Sequence, residues 1–382
     1  MLPLHNSRIL DLTRLLPGAV CTMLVRDLGA EIIKVEDPQT GDYARTMSPL
    51  IDGMGAFFQC SNRGKKSIAI DLKSAAGQAV LHRLVTSADV LIEGFRPGVS
   101  TRLGADYETL RAINPRLVYC SLSGWGQTGP YAPLSGHDLN YIARDGVLGA
   151  DLQPGTPGAQ VADISGAYVA VMGVLAALLQ RQSTGAGDYI DVALSEAAMP
   201  LALAAWVEAQ TTPADDDFIS LRGESACYRV YHCADGEPLA LGAVEAKFWA
   251  NFCRASERPE WIAQQYIRAR QPALIDEVAA LFKSKTAGAW AIVLDEADCC
   301  FSRVITPGQL LDDPQIAARG MVGVDERGLP WMRSPIRLSG HRPNLQAAPA
   351  HGEHTDEVLR EIGYSHGEIE QLLAGQVIRP AP

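Results

Sequence analysis

His137 and Asp163 are the two side chains of this 382-residue sequence whose types and spacing point to chemistry. An imidazole and a carboxylate 26 positions apart, if the fold sets them across one cavity, can carry a proton from one face of a carbon to the other. Taken singly, each has an ordinary reading. A loop histidine among Gly136, Asp138 and Asn140 is most often a surface or packing residue. Asp163, just ahead of the apolar run Ile164 to Gln180, is a natural helix N-cap. The start of that helix would also offer unpaired backbone N–H groups to an oxyanion forming nearby.

Other residues bear on a ligand rather than on proton transfer. Arg63-Gly64-Lys65-Lys66 precedes an expected strand, and Phe95-Arg96-Pro97-Gly98 follows one; together they suggest a rim for phosphates. Gly124-Trp125-Gly126-Gln127-Thr128-Gly129 matches the dinucleotide pattern of glycines. Pro130 and Pro133 follow at once, where that motif needs a helix, so a glycine turn that admits a ligand to the backbone is the better reading. Glu245 by itself reads as a surface or capping acid, and Asp298-Cys299-Cys300 suggests no defined chemistry.

The elements that must position these groups alternate. Strands are expected at Ile9–Leu12, Glu31–Val35, Ser67–Leu72, Asp89–Glu93, Leu117–Ser121 and Tyr189–Val192. Helices are expected at Pro17–Leu28, Ala75–Ala88, Tyr107–Ile113, Ile164–Gln180 and Ser195–Gln210. This order predicts an α/β fold with a parallel sheet wrapped on both faces, whose strand ends hold the ligand. The stretch Ser121 to Tyr141, carrying the glycine turn and His137-Asp138, leaves the Leu117–Ser121 strand on irregular backbone. A polar linker at 211–224 ends this domain, here taken as 1–210. Residues 225–310 read as a smaller α+β domain with a β-hairpin at Tyr228–Val244.

The composition narrows the class. A net charge of −11 argues against a general nucleic-acid or membrane-surface binder. Yet the first 104 residues carry 12 Lys and Arg against 10 Asp and Glu, which fits a local anionic ligand. The eight cysteines lack the paired spacing of a zinc site, and no metal is expected. With no apolar signal segment at the start, they are expected to be reduced thiols in the cytoplasm. The longest apolar run, Val169 to Leu179, stops at Gln180-Arg181, short of a membrane span.

Several segments, taken as a set, resemble the family III CoA-transferases, and within them the α-methylacyl-CoA racemase branch. They are D-L-G-A-E-I-I-K-V-E-D-P (27–38), N-R-G-K-K-S-I-A-I-D-L-K (62–73), E-G-F-R-P-G (93–98), S-G-W-G-Q-T-G-P-Y (123–131), G-H-D-L-N-Y (136–141), A-D-I-S-G (162–166) and H-T-D-E-V-L-R-E-I-G-Y (354–364). The resemblance implies an interlocked, linked-ring homodimer. Each chain would have a Rossmann-like large domain completed by residues 311–382 and a small domain. It implies an acyl-CoA thioester as substrate, with no separate cofactor. By motif, it makes His137 and Asp163 the acid/base pair. Glu245 of G-A-V-E would reach in from the partner chain. Arg63, Lys65 and Arg96 would hold the CoA phosphates, and Gly136, Asp138 and Tyr141 would lie against the substrate, Asp138 orienting His137. The reaction implied is racemisation or epimerisation of a 2-methylacyl-CoA through an enolate, in the setting of lipid metabolism. Two alternatives stand beside it: a CoA-transferase with Asp163 as nucleophile, and an inactive CoA-ester binding protein. His137 with Glu245, and the lack of a run of glycines in the small domain, favour racemisation. The loop Gln153 to Gln160 is shorter than the resemblance leads one to expect. The loop at 150–160 and the 195–210 helix are expected to line the acyl pocket.

Overall fold

The computed structural model describes residues 1–150, 155–213, 220–339 and 345–379. Parts of the expected 153–160 loop and 211–224 linker, residues 153–154 and 214–219, lie outside them. The chain forms two compact units. The first takes residues 1–147, 156–201 and the chain from Pro314 onward; the second takes the described residues of 148–155 and 202–313.

The first unit is built on six parallel strands: β1 (Arg8–Leu12), β2 (Glu31–Glu36), β3 (Lys66–Ala69), β4 (Val90–Glu93), β5 (Val118–Ser123) and β6 (Tyr189–Ala193). Their order across the sheet is β3-β2-β1-β4-β5-β6, so the winding reverses between β1 and β4. Register is set by apolar pairs such as Ile9 with Ile32 and with Val90. Because side chains alternate along a strand, Leu10, Leu12, Ile33, Val35, Ile68, Leu91 and Tyr119 share one face. There they meet helix α2 (Ala75–Val85), α3 (Tyr107–Ile113) and two C-terminal helices, Thr355–Glu361 and His366–Ala374, in one apolar core. The other face carries Asp11 and Lys34 and is covered by α1 (Leu15–Asp27), whose Thr22 hydroxyl reaches the Asp11 carboxylate at 2.9 Å.

Three more helices shape the carboxyl edge: α4 (Asp138–Arg144), α5 (Val161–Thr184) and α6 (Leu194–Ala198). Helix α5 is longer than the sequence suggested. It runs for 24 residues with a window of mean hydropathy 1.9, long and apolar enough to cross a membrane by length and composition alone. Here Ala162, Gly166, Ala170 and Val174 are buried against the rest of the unit. The helix expected at Ser195–Gln210 is broken: α6 passes into a tight turn at Met199–Ala202, and a new helix spans Leu203–Thr211. Pro200, which lacks an N–H and crowds the preceding turn, sits at the break. The boundary between the two units falls at the same place.

The second unit has a three-stranded antiparallel sheet, with β8 (Pro238–Gly242) between β7 (Tyr228–His232) and β9 (Phe301–Arg303). Trp249, Phe252, Phe282 and Trp290 fill its core.

Candidate active site

A cavity of about 880 Å³ opens at the carboxyl ends of β1, β4 and β5, where the sheet's winding reverses. Open α/β sheets bind ligands at such a point, because the loops on either side diverge there. His137 and Asp163 both line it, as do Gly136, Tyr141 and Arg96.

His137 ends the irregular stretch as expected, and helix begins at Asp138. It heads α4, with its N–H donated to the Asn140 side chain at 3.0 Å. Asp163 is not the N-cap of α5; that place belongs to Gln160, and Asp163 is the third residue of the helix. The capping comes from next door: the Asp138 carboxylate accepts the Asp163 N–H at 3.0 Å. One hydrogen bond therefore ties the start of α4 to the start of α5, and with it His137 to Asp163. Of the N–H groups expected to face an oxyanion, that of Asp163 is occupied. Those of Val161 and Ala162 have no acceptor among the described residues.

Burial and the like charge of Asp138 push the Asp163 carboxyl up to about 6, against the opposing pull of His137. Asp138 thus holds Asp163 by its backbone and raises its proton affinity by its charge. Burial, with Asp163 next in weight, pushes the Tyr141 phenol up to about 12, so Tyr141 stays protonated and donates to the Gly136 carbonyl at 2.7 Å.

The glycine pattern has a packing explanation. A Cβ at Gly124 would collide with the Tyr141 hydroxyl, so that ring could not close over the turn. Trp125 stacks edge-on against Tyr141 with centroids 4.9 Å apart. Gln127 anchors the turn to the sheet, its N–H to Asp191 at 3.1 Å and its side-chain amide to Ser121 at 2.6 Å. No helix follows the third glycine; the next begins at Asp138. Ser123 Oγ and Trp125 Nε1, on the cavity wall, are buried without a hydrogen-bond partner among the described residues. These two polar groups were not singled out from the sequence.

The expected phosphate ligands divide. Arg96 lines the cavity, is exposed, and has no side-chain partner among the described residues. Arg63 and Lys65 do not reach it. Arg63 forms a buried fork with Asp27, at 2.8 and 2.6 Å. Lys65 is buried against Asp11, Thr22 and Asn62, at 3.1, 2.6 and 2.7 Å. Burial pulls Lys65 down to about 8, although Asp11 opposes it. Both cations hold α1 to the chain ahead of β3, which corrects their expected role. The cavity gains three cations that the sequence reading missed: Arg14 after β1, Lys73 after β3, and Arg102. Lys73 pairs with Asp37 at 3.2 Å. Near these charges the wall is apolar, with Leu15, Pro17, Leu122, Leu134 and Leu194.

Glu245 belongs to the second unit. It is exposed and occupies the N-cap position of the Ala246–Ala255 helix without making a side-chain cap bond.

The family model described as CoA-transferase family III matches residues 4–355. The chain belongs to CoA-transferase family III. Members of this family are enzymes, either racemases or CoA-transferases. The chain is 33% identical to the α-methylacyl-CoA racemase of Mus musculus, over 98% of this chain and 97% of the relative. It is 30% identical to the succinyl-CoA:glutarate CoA-transferase of Mus musculus, over 99% of this chain and 91% of that one. Among solved structures, a CAIB/BAIF family protein from Brucella suis superposes with a TM-score of 0.82 at 30% identity, covering 94% of this chain and 99% of that one.

Proposed function

We propose that the protein racemises or epimerises a 2-methylacyl-CoA by moving the α-proton between His137 and Asp163. The observation that carries this reading is the Asp163 carboxyl, lifted to about 6 beside a histidine on the wall of one cavity. A carboxyl whose proton affinity is raised in this way can give up a proton in one direction and take one in the other, as a reaction that runs from either enantiomer requires of each partner.

The thioester carbonyl acidifies the α-carbon. In one direction neutral His137 takes the proton, and protonated Asp163 delivers another to the opposite face. In the other direction the Asp163 carboxylate takes the proton and imidazolium delivers it. Between the two steps the substrate is an enolate, whose oxygen is assigned to the N–H groups of Val161 and Ala162. Arg14, Arg96, Arg102 and Lys73 take the phosphates, and the leucine-lined wall takes the acyl chain. The reading extends to an interlocked, linked-ring homodimer with a Rossmann-like large domain, in which Glu245 of a second copy completes the site. CoA enters as part of the substrate, with no further cofactor, and the setting is cytoplasmic.

Asp138 offers a check on the proton affinities. The direction that uses Asp163 as base needs its carboxylate, so kcat/KM for that enantiomer falls as pH drops through about 6. Asp138→Asn keeps an oxygen for the Asp163 N–H but removes the like charge. The acid limb of that profile is then expected to move down by roughly half a unit to one unit, with the plateau little changed. An unmoved limb in the pH–rate profile would show that Asp138 does not set the affinity.

The decisive test is incubation with a 2-methylacyl-CoA in deuterium oxide without an acceptor acid, followed by NMR. Deuterium entering the α-position with loss of optical activity supports the reading. The second reading, CoA transfer with Asp163 as nucleophile, is favoured by the transferases among the relatives at similar identity. It is adopted if no deuterium enters and CoA instead moves to an added carboxylic acid.

A further inference from the structure

The proposed proton transfer makes no use of the strained entry into α1, whose first residue is Leu15. Leu15 has φ of +59°, in the left-handed region where a side chain crowds its own backbone. Five other described non-glycine residues share that region: Asp52, Glu257, Asp298, Cys300 and Gln376. Of the six, Leu15 is the one that lines the cavity.

Both sides of Leu15 are clamped. Thr13 gives its N–H and hydroxyl to Asp11, at 3.0 and 2.5 Å, and its carbonyl accepts from Lys34 at 2.8 Å. Asp11 and Lys34 are themselves buried, and Asp11 is bonded in turn to Thr22 of α1 and to Lys65. On the far side, Gly18 lies so close to the Thr13 side chain that it has no room for a Cβ. Pro17 fixes one more torsion. The turn from strand to helix is therefore confined to a few residues, and Leu15 absorbs it. Its side chain is only half-buried, so core packing does not account for a leucine where glycine would relieve the crowding. Strain that the surroundings over-determine, at a ligand cavity, is a sign of a geometry being held for use.

We propose that Leu15 is a positioning residue. Its left-handed backbone fixes the β1–α1 elbow, and with it the wall formed by Arg14 and Leu15, against which the acyl-CoA is held for proton transfer. The inference rests on the function proposed above.

The test compares Leu15→Gly, which frees the elbow, with Leu15→Asn, whose side chain tolerates the left-handed region. The assay is α-proton exchange of a 2-methylacyl-CoA by the full-length protein, with Tm measured alongside. Leu15→Gly is expected to lose about 10-fold or more in kcat, with KM within about threefold and Tm not lowered; Leu15→Asn, which puts a polar group on the acyl wall but keeps the left-handed backbone, is expected to raise KM and to lose clearly less kcat than the glycine variant. The inference is overturned if the glycine variant keeps wild-type kcat, if the asparagine variant loses as much as the glycine one, or if the glycine variant melts lower. If the wild type exchanges no α-proton but moves CoA to a carboxylic acid, the racemase reading fails alone, and the same comparison is made on the transfer rate. A wild type that does neither overturns both.

Discussion

His137→Ala and Asp163→Ala are each expected to lower racemisation of a 2-methylacyl-CoA by about 10²–10⁴-fold, the usual worth of a positioned acid or base. The loss has a signature that a simple loss of fold does not share. Each variant keeps one base, so it still removes the α-proton from one enantiomer and not from the other. Deuterium exchange should therefore become one-handed, with opposite hands in the two variants. A transferase gives a different pattern: Asp163→Ala abolishes turnover and His137→Ala spares it. Asp163→Asn adds a control on folding. A carboxyl whose proton affinity is raised on folding favours the folded state below about pH 4, and that advantage is gone above about 6. At pH 7 the wild-type carboxylate thus sits in a site that prefers the neutral form. Asn, neutral at every pH, is expected to raise stability there by no more than about 2 kcal/mol, after allowing for the solvent that reaches the group. An inactive variant with a Tm at or above wild type would place the loss in the chemistry. A lowered Tm would remove the argument that Asp163 is held at a cost.

The alternation of strands and helices was legible because each element of the sheet carries its own period. Tyr107–Ile113 has its Asp106 cap and the bounds expected of it. The pairing of His137 with Asp163 was legible only as a possibility, since what joins them is the bond from Asp163 to Asp138, a contact between two helices that no local pattern encodes. The capping role assigned to Asp163 failed for a related reason: the helix began three residues earlier and took its cap from a neighbour. The helix at 195–210 should have been divided, because Pro200 stood within it. The phosphate ligands contained a signal that went unused. In a parallel sheet, only segments that follow strands reach the carboxyl edge. Arg14 follows β1, Lys73 follows β3 and Arg96 follows β4, and all three line the cavity. Arg63 and Lys65 precede β3, so that topology alone puts them at the opposite end of the strand.

The same rule separates two arginines that the sequence treated alike. Arg63→Met is expected to cost about 2–4 kcal/mol of stability, because it takes the forked partner from the buried Asp27 carboxylate and leaves it the longer Arg26 contact at 3.3 Å and the Ser334 N–H. Binding of CoA by the fraction that remains folded should be unchanged. Arg96→Met should do the reverse. Its guanidinium is exposed and unpaired among the described residues, so Tm should stay within about 1 °C. Removing one charge-assisted phosphate contact, worth about 1.5–3 kcal/mol, should weaken CoA binding by roughly 10- to 100-fold. Urea unfolding and calorimetric titration with CoA, run on both variants, give the two readouts. If Arg63→Met keeps its stability and loses CoA, the cation acts on the ligand after all. If Arg96→Met binds CoA as wild type does, the phosphates lie elsewhere, and Arg14, Arg102 and Lys73 become the residues to substitute next. The contrast matters because both arginines lie within segments that resemble the family. Only one of them stands where a parallel sheet can present a charge to a ligand.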